Sequence, residues 1–356
     1  MVSDQAAPAG RVVRVAVLGC GRFSNSTHLP NLAAIEGVEV VAVADTDGEA
    51  ARATAARFGV PHAYTDGHEM LAKERFDALF SIVPAYARTI DGPEATAARQ
   101  GVHLFSEKPQ ADDMAVAVAI DRAVEAGRVI STVGFRERYR PLFREARERL
   151  ADVRLIHARV QSARAWTPPQ GADADRWWDE YKRRGGWAME WGVHAVDYVR
   201  FMTGQNVASA QAFYYEDASQ PVALSQAIHL QLESDATMDI VALTGVPVAP
   251  DEPLITLYHD QGYLALVRNG KETWSLVENG ETVRTEEMDP WLEHDQQFIE
   301  AIRMGDESLL RNDYHDGLAS LAPILVARES ARRGGVALDV PGWARIESEP
   351  PPRSRR

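Results

Sequence analysis

Cysteine is almost missing from this chain: Cys20 is the single one among 356 residues. One thiol cannot close an intrachain disulfide and makes a cysteine metal site implausible, so a reducing cytoplasm is the expected setting. No apolar run approaches the roughly 18 residues that a membrane-spanning helix needs. Positive charge is also scarce, with 38 Lys and Arg against 52 Asp and Glu and a net charge of −14. That balance argues against nucleic acid or an anionic membrane surface as the main partner. Residues 1–10, MVSDQAAPAG, lack the basic start and apolar run of a secretory signal. They and the polar, proline-rich tail 347–356, ESEPPPRSRR, are expected to be disordered. What is present suffices for a packed interior: 45% of residues are hydrophobic and 25% charged. The length suggests two domains.

The stretch Val12–Asp47 organises the chain. Val12–Leu18 is short, β-branched and interrupted only by Arg14, as suits a buried parallel strand. Gly19-Cys20-Gly21-Arg22-Phe23-Ser24 follows at once. Gly19 permits the tight turn, and Gly21 leaves room for a pyrophosphate beside the backbone. The helix that follows directs its free N–H groups and positive dipole end at the phosphates. Ser24 replaces the usual third Gly or Ala, and its hydroxyl is a further candidate contact. Val38–Ala44 reads as the second strand. Asp45 ends it about 20 residues after the turn, where an acid can bond a ribose hydroxyl. A glycine turn alone is a weak signal; strand, helix and acid together make it a dinucleotide site. Asp45 and Asp47 would repel a 2′-phosphate, and no arginine directly follows Asp45, which favours NAD over NADP. Arg52 lies seven residues on, so NADP stays open.

Strands and helices then alternate to about residue 134, predicting a doubly wound parallel sheet over 11–134. Near Phe135 the pattern changes. A tryptophan-rich stretch runs from Trp166 to Trp187 and a helix is predicted over Val193–Met202. Val207–Val277 reads as successive strands with short turns, hence an antiparallel sheet. Helices are predicted over Trp291–Met304 and Asp313–Arg332. The second domain is therefore placed at 135–346, an α+β unit.

Four stretches carry a resemblance to a known family. They are VAVLGCGRF with VVAVADTD, Glu107-Lys108-Pro109, the run Gly134–Pro141 (GFRERYRP), and the run Gly185–Asp197 (GGWAMEWGVHAVD). Together they are similar to the glucose–fructose oxidoreductase/inositol dehydrogenase (GFO/IDH/MocA) family. The resemblance implies an N-terminal Rossmann domain and a C-terminal domain built on a large open antiparallel sheet. It also implies a homodimer or homotetramer through that sheet, and NAD(P)-dependent oxidation of a secondary alcohol of a sugar, cyclitol or similar polyol, or the reverse reduction. Two departures stand out. Glu190 stands where the family usually has Asp. Val83-Pro84-Ala85-Tyr86-Ala87-Arg88 stands where members often carry Thr-Pro-Asn-x-x-His.

The resemblance assigns roles residue by residue. Gly19, Gly21, Arg22, Phe23 and Ser24, with Asp45 and Thr46, are expected to hold the dinucleotide. Val83, Pro84, Glu107 and Lys108 are expected on its nicotinamide side. Alcohol oxidation needs a base for the hydroxyl proton and gains from a cation beside the developing alkoxide. His194 is the expected acid/base, because imidazole titrates near neutrality. Lys108 is expected to orient the hydroxyl or relay the proton. Both are expected near the nicotinamide C4. Glu190 lies four residues before His194 and Asp197 three after it, so both are candidates to orient the imidazole or bind substrate. Arg136 and Trp178 complete the expected substrate contacts. Glu190, His194 and Asp197 also have helical metal-ligand spacing. No other ligand cluster is visible and the family needs no metal, so none is expected. Two rivals remain: an NAD-dependent glycosidase with no net redox change, and a non-catalytic nucleotide-binding sensor.

Overall fold

The strands of the computed structural model are β1 Val13–Leu18, β2 Val38–Ala44, β3 His62–Tyr64, β4 Ala78–Ser81, β5 His103–Ser106 and β6 Ser131–Val133. They are followed by β7 Leu155–Arg164, β8 Val207–Tyr215, β9 Ser225–Leu232, β10 Thr237–Thr244 and β11 Ile255–His259. The last are β12 Gly262–Arg268, β13 Thr273–Glu278, β14 Glu281–Glu287 and β15 Leu338–Asp339. The helices are α1 Leu29–Ala34, α2 Gly48–Phe58, α3 Gly67–Lys73, α4 Pro93–Arg99, α5 Met114–Gly127 and α6 Pro141–Arg149. Then come α7 Gly186–Thr203, α8 Pro290–Met304 and α9 Tyr314–Arg332. The structure describes residues 11–164, 185–216, 223–245, 254–270 and 272–341. The terminal segments expected to be disordered lie outside these.

Contacts divide the chain into two units, 1–140 with Asp289–Gly317, and Pro141–Met288 with 318–356. The sequence reading gave the second domain everything from 135 to 346; contacts assign 135–140 and Asp289–Gly317 to the first. In the first unit the strand order is β3-β2-β1-β4-β5-β6 and every pair is parallel. The order reverses between β1 and β4, and the carboxyl ends of the strands at such a switch point form the ligand crevice. β1 and β4 are buried along nearly their whole length, which is why they read as continuous apolar runs. The helices start where short acids cap them: Asp47 accepts from Glu49 N and Ala50 N, Asp66 from Glu69 N, and Asp113 from Ala115 N. Phe298, Ile299, Ala301 and Ile302 of α8 join Val13, Val15, Phe80 and Phe105 in one core. That apolar stripe ties the late helix to the first unit.

In the second unit nine strands lie in the order β14-β13-β12-β11-β7-β10-β9-β8-β15. The pairs are antiparallel except β7 with β10, which run parallel. The sequence expectation of an antiparallel sheet holds for every other pair. β7, first in sequence, is inserted in the middle of the sheet. β10 buries every second residue, the mark of a sheet covered on one face. α7 begins at Gly186, well before the expected Val193, after Gly185 turns the chain at φ +80°. β14 and β15 were not foreseen.

Candidate active site

The glycine turn closes on its own side chains. Gly19 has φ +97°, and a Cβ there would collide with the Ile82 carbonyl oxygen at the end of β4 and lie 3.2 Å from Val83 Cγ1. Ser24 is fully buried and its Oγ donates to Gly19 O, so this hydroxyl closes the turn rather than facing a ligand. Asn25 Nδ2 donates to Cys20 O at 2.9 Å and Gly21 O at 3.0 Å. The segment Ser24–His28 forms a π turn leading into α1, a feature that recurs at functional sites. A Cβ on Gly21 would meet no protein atom within 4 Å, which is the room a pyrophosphate needs. Asp45 Oδ2 accepts from Cys20 N at 2.7 Å and its Oδ1 from Asp47 N at 2.9 Å. The acid at the end of β2 is thereby drawn against the turn. Burial and Asp45 push the Cys20 thiol up to about 12, so it stays protonated. Arg22 and Thr46 are exposed, and Val83 and Pro84 half-buried. The residues present fit a dinucleotide.

A second cluster lies under Lys108. His28 is fully buried, with Nδ1 at 3.0 and 3.1 Å from the Asp295 oxygens and Nε2 at 3.2 Å from Glu107 Oε1. Asn31 Nδ2 donates to Asp295 Oδ2 at 2.8 Å. Burial alone would lower the imidazole pKa, but Asp295 and then Glu107 outweigh it and raise it to about 10. His28 is therefore a buried cation between two carboxylates. Glu107 Oε2 accepts the Lys108 N–H at 3.2 Å. A Cβ at residue 134 would fall on the Glu107 carboxylate, so Gly134 leaves that carboxylate its place beside His28. The Lys108 side chain is half-buried. The Arg136 guanidinium lies over the Trp291 indole, 4.6 Å from its centroid, and its Nε donates to Glu137 Oε1 at 2.7 Å. Trp291 in turn meets Phe23 of the glycine turn edge-on at 4.9 Å. The first unit thus brings together Gly19 with Val83, Cys20 with Asp45, Glu107 with Lys108, and Phe23 with Arg136 through Trp291.

Glu190, His194 and Asp197 share α7 in the second unit. Glu190 and His194 are half-buried. The His194 ring stacks on Tyr198, one turn on, at 5.8 Å and 21°. Gly192 gives α9 a close approach, its missing Cβ lying 3.0 Å from Ile324 Cδ1. Asp197 is 1% exposed, and its Oδ1 accepts from Ser320 Oγ at 3.0 Å, which itself takes a bond from Arg200 Nη1 at 2.8 Å. Asp197, expected to orient His194 or bind substrate, is thus buried and bonded to Ser320 inside the second unit. Among the described residues no group of three or more His, Cys, Asp or Glu is placed to hold a metal ion. Trp178 lies outside the described residues, as do most of the aromatic positions around it.

The fold and these residues match known proteins. A family model described as an oxidoreductase family with an NAD-binding Rossmann fold matches residues 13–135. A second, the GFO/IDH/MocA C-terminal domain, matches 143–265. The chain belongs to the GFO/IDH/MocA family. It is 25% identical over 316 residues to a 4-carboxy-2-hydroxymuconate-6-semialdehyde dehydrogenase of Sphingobium sp., covering 83% of this chain and 92% of the relative. It is 26% identical over 250 residues to scyllo-inositol 2-dehydrogenase (NAD(+)) of Bacillus subtilis, covering 67% of this chain and 69% of that one. Among solved structures, aldose-aldose oxidoreductase from Caulobacter crescentus superposes with a TM-score of 0.76 at 20% identity, over 92% of this chain and 100% of the other. That identity speaks for the fold alone. As a GFO/IDH/MocA protein the chain is an NAD(P)-dependent oxidoreductase acting on CH–OH groups, with NAD the cofactor of its Rossmann unit.

Sequence reasoning about this GFO/IDH/MocA chain missed His28, Asp295, Arg88 and Glu94. His28 follows the glycine turn by less than two helical turns, but a lone histidine there gives no sign of its partners. Asp295 is 267 residues away, on a helix that sequence order puts with the second domain. Arg88 drew notice only as a departure from the family's Thr-Pro-Asn-x-x-His.

Proposed function

We propose that the protein moves a hydride between NAD and a secondary alcohol or ketone of a sugar, cyclitol or similar polyol. The observation that carries this reading is Lys108. It sits at the carboxyl end of β5, beside the switch point, in the unit that also holds the glycine turn and Asp45. Gly19, Gly21, Arg22, Phe23, Asp45 and Thr46 would hold the dinucleotide, with Ser24 closing the turn and Val83, Pro84 and Glu107 on the nicotinamide side. When bound, NAD supplies the hydride acceptor or donor. Lys108 would orient the substrate hydroxyl and favour the alkoxide by its charge. His194 would take or return the hydroxyl proton, with Glu190 one turn before it holding either the imidazole or the substrate. Arg136, over the Trp291 ring, and Trp178 would contact the substrate. Asp45 and Asp47 favour NAD over NADP. The inositol-oxidising relative supports a cyclitol or sugar as the substrate class. A chain with one cysteine suits the cytoplasm.

The test follows absorbance of reduced nicotinamide against a panel of inositols, aldoses and sugar acids. Lys108→Ala and His194→Ala should each lower turnover by roughly 10²–10⁴-fold. NAD binding, read by fluorescence titration, should weaken little. A His194→Ala variant with full activity would remove the acid/base role. Tightly held NAD that co-purifies, with bond hydrolysis and no net redox change, would favour the glycosidase chemistry instead.

A further inference from the structure

We propose that Arg88 is the positioning residue for Lys108, gripping from below the main-chain carbonyls on both sides of it. The proposal rests on the reading of Lys108 given above. Arg88 follows the short 3₁₀ turn Ala85–Ala87 after β4, and its side chain is wholly buried. A buried guanidinium is costly unless its charge is paired and its donors are used. The charge is met by Glu94 at the start of α4, whose Oε1 accepts from Arg88 Nε at 3.1 Å and from Ser81 Oγ at 2.6 Å. The remaining donors do not go to a second carboxylate. Nη1 donates to Pro109 O, and Nη2 donates to Glu107 O at 2.8 Å and Ser81 O at 3.4 Å.

The fork therefore straddles residue 108. Both neighbouring carbonyls turn down onto one rigid plane, while the Glu107 carboxylate is held separately by His28 and by the Lys108 N–H. The peptide group before Lys108 and the carbonyl of the residue after it thus have little freedom, and the Lys108 side chain leaves from a segment held at both ends. A planar fork with five donors can hold two carbonyls and a carboxylate at once. An ammonium at the end of a flexible stem cannot span the same points. A displacement of about 1 Å at a reacting group costs on the order of 10²-fold in rate, so loosening this segment should be felt in turnover before it is felt in cofactor binding.

The chain has four lysines, Lys73, Lys108, Lys182 and Lys271, so Lys108 can be watched directly. With lysines reductively methylated by ¹³C-formaldehyde, the Lys108 signal is the one missing from Lys108→Ala. Arg88→Lys adds a lysine signal of its own, identified as the one still present in Arg88→Lys with Lys108→Ala; the Lys108 signal should move in chemical shift, while the Lys73 signal stays in place. With myo-inositol as substrate, or the panel member that turns over, Arg88→Lys should lower kcat by about 10- to 100-fold, with NAD affinity changed less than about threefold. Added to Lys108→Ala, the same change should cost nothing further. An Arg88→Lys protein with an unmoved Lys108 signal and wild-type kcat, beside an inactive Lys108→Ala, would overturn this proposal alone. Full multiplicative losses in the double variant would do the same. Full activity of Lys108→Ala would overturn the reading of Lys108, and this proposal with it. If Arg88→Lys no longer binds NAD, Glu94→Gln takes its place: it keeps an acceptor for the guanidinium, and its smaller loss must likewise vanish on the Lys108→Ala background.

Discussion

At the scale of single residues, the first unit depends on buried charges that face one another. His28 shows the consequence most directly. Its pKa is about 6.5 in an unfolded chain and is raised to about 10 in the fold, where Asp295 and Glu107 outweigh burial. A raised folded pKa contributes stability that is complete below the unfolded value and is lost as pH climbs through the folded one. Chemical denaturation should therefore show stability falling progressively between about pH 6.5 and 10, and His28→Gln should remove that slope. The same variant leaves two carboxylates facing a neutral amide, and breaking a buried pair in this way costs about 3–5 kcal/mol. A His28→Gln protein as stable as wild type at pH 6, with the slope unchanged, would show that His28 is not the cation. His294 works in the other direction. Burial, then the charges of His28 and Arg138, hold its pKa well below the ordinary imidazole value, so it stays neutral beside Thr132 and Tyr139.

At the scale of elements, α8 is what the first unit cannot do without. It comes after eight of the nine strands of the second sheet in sequence, yet Phe298 is fully buried against Phe80 and Phe105, with ring centroids at 5.5 and 5.6 Å. The same helix supplies Asp295 to His28, and Trp291 to Phe23 and Arg136. Deleting a buried phenylalanine side chain costs about 3–5 kcal/mol. Phe298→Ala should lower the urea midpoint of the NAD-binding unit by a corresponding amount. A truncated chain ending before Asp289 should fail to bind NAD, as read by fluorescence titration. An NAD-binding product of that truncation would contradict the assignment of α8 to the first unit's core.

At the scale of the whole molecule, the sheet of the second unit carries exposed aromatic residues on one face among the described residues. β9 and β10 alternate buried and less buried residues, and Phe213, Tyr215 and Tyr258 are exposed at 59%, 61% and 40%. Aromatic side chains left in water on a broad sheet favour covering by another surface. A second copy of this chain, seated by the same face, is the expected cover, in a homodimer or homotetramer. Light scattering at micromolar concentration should return a dimer or tetramer mass, and Phe213→Glu with Tyr258→Glu should shift it toward monomer. A monomeric mass for the unaltered protein would overturn the expectation. No described helix is long and apolar enough to cross a membrane.

The sequence by itself determined the parts of this protein that are written locally. Val13–Leu18, the Gly19 turn and Val38–Ala44 with Asp45 are contiguous, so strand, turn and acid could be read from spacing and β-branching alone. The same holds for the helices Gly48–Phe58 and Met114–Gly127 and for the strand alternation of β9 and β10. Lys108 and His194 are singled out only because Glu107-Lys108-Pro109 and the run Gly185–Asp197 are similar to motifs of the family, and their roles stand as proposals. What only the tertiary structure decided joins residues far apart in the chain. The parallel pairing of β7 with β10 inserts an early strand into the middle of a sheet made of later ones. The His28–Asp295 pair, the grip of Arg88 on Glu107 and Pro109, and the inward turn of Asp197 onto Ser320 follow from packing. A side chain's own sequence neighbours do not specify which remote group will neutralise it; burial does, because a charge or polar group removed from water must find a partner wherever the fold brings one.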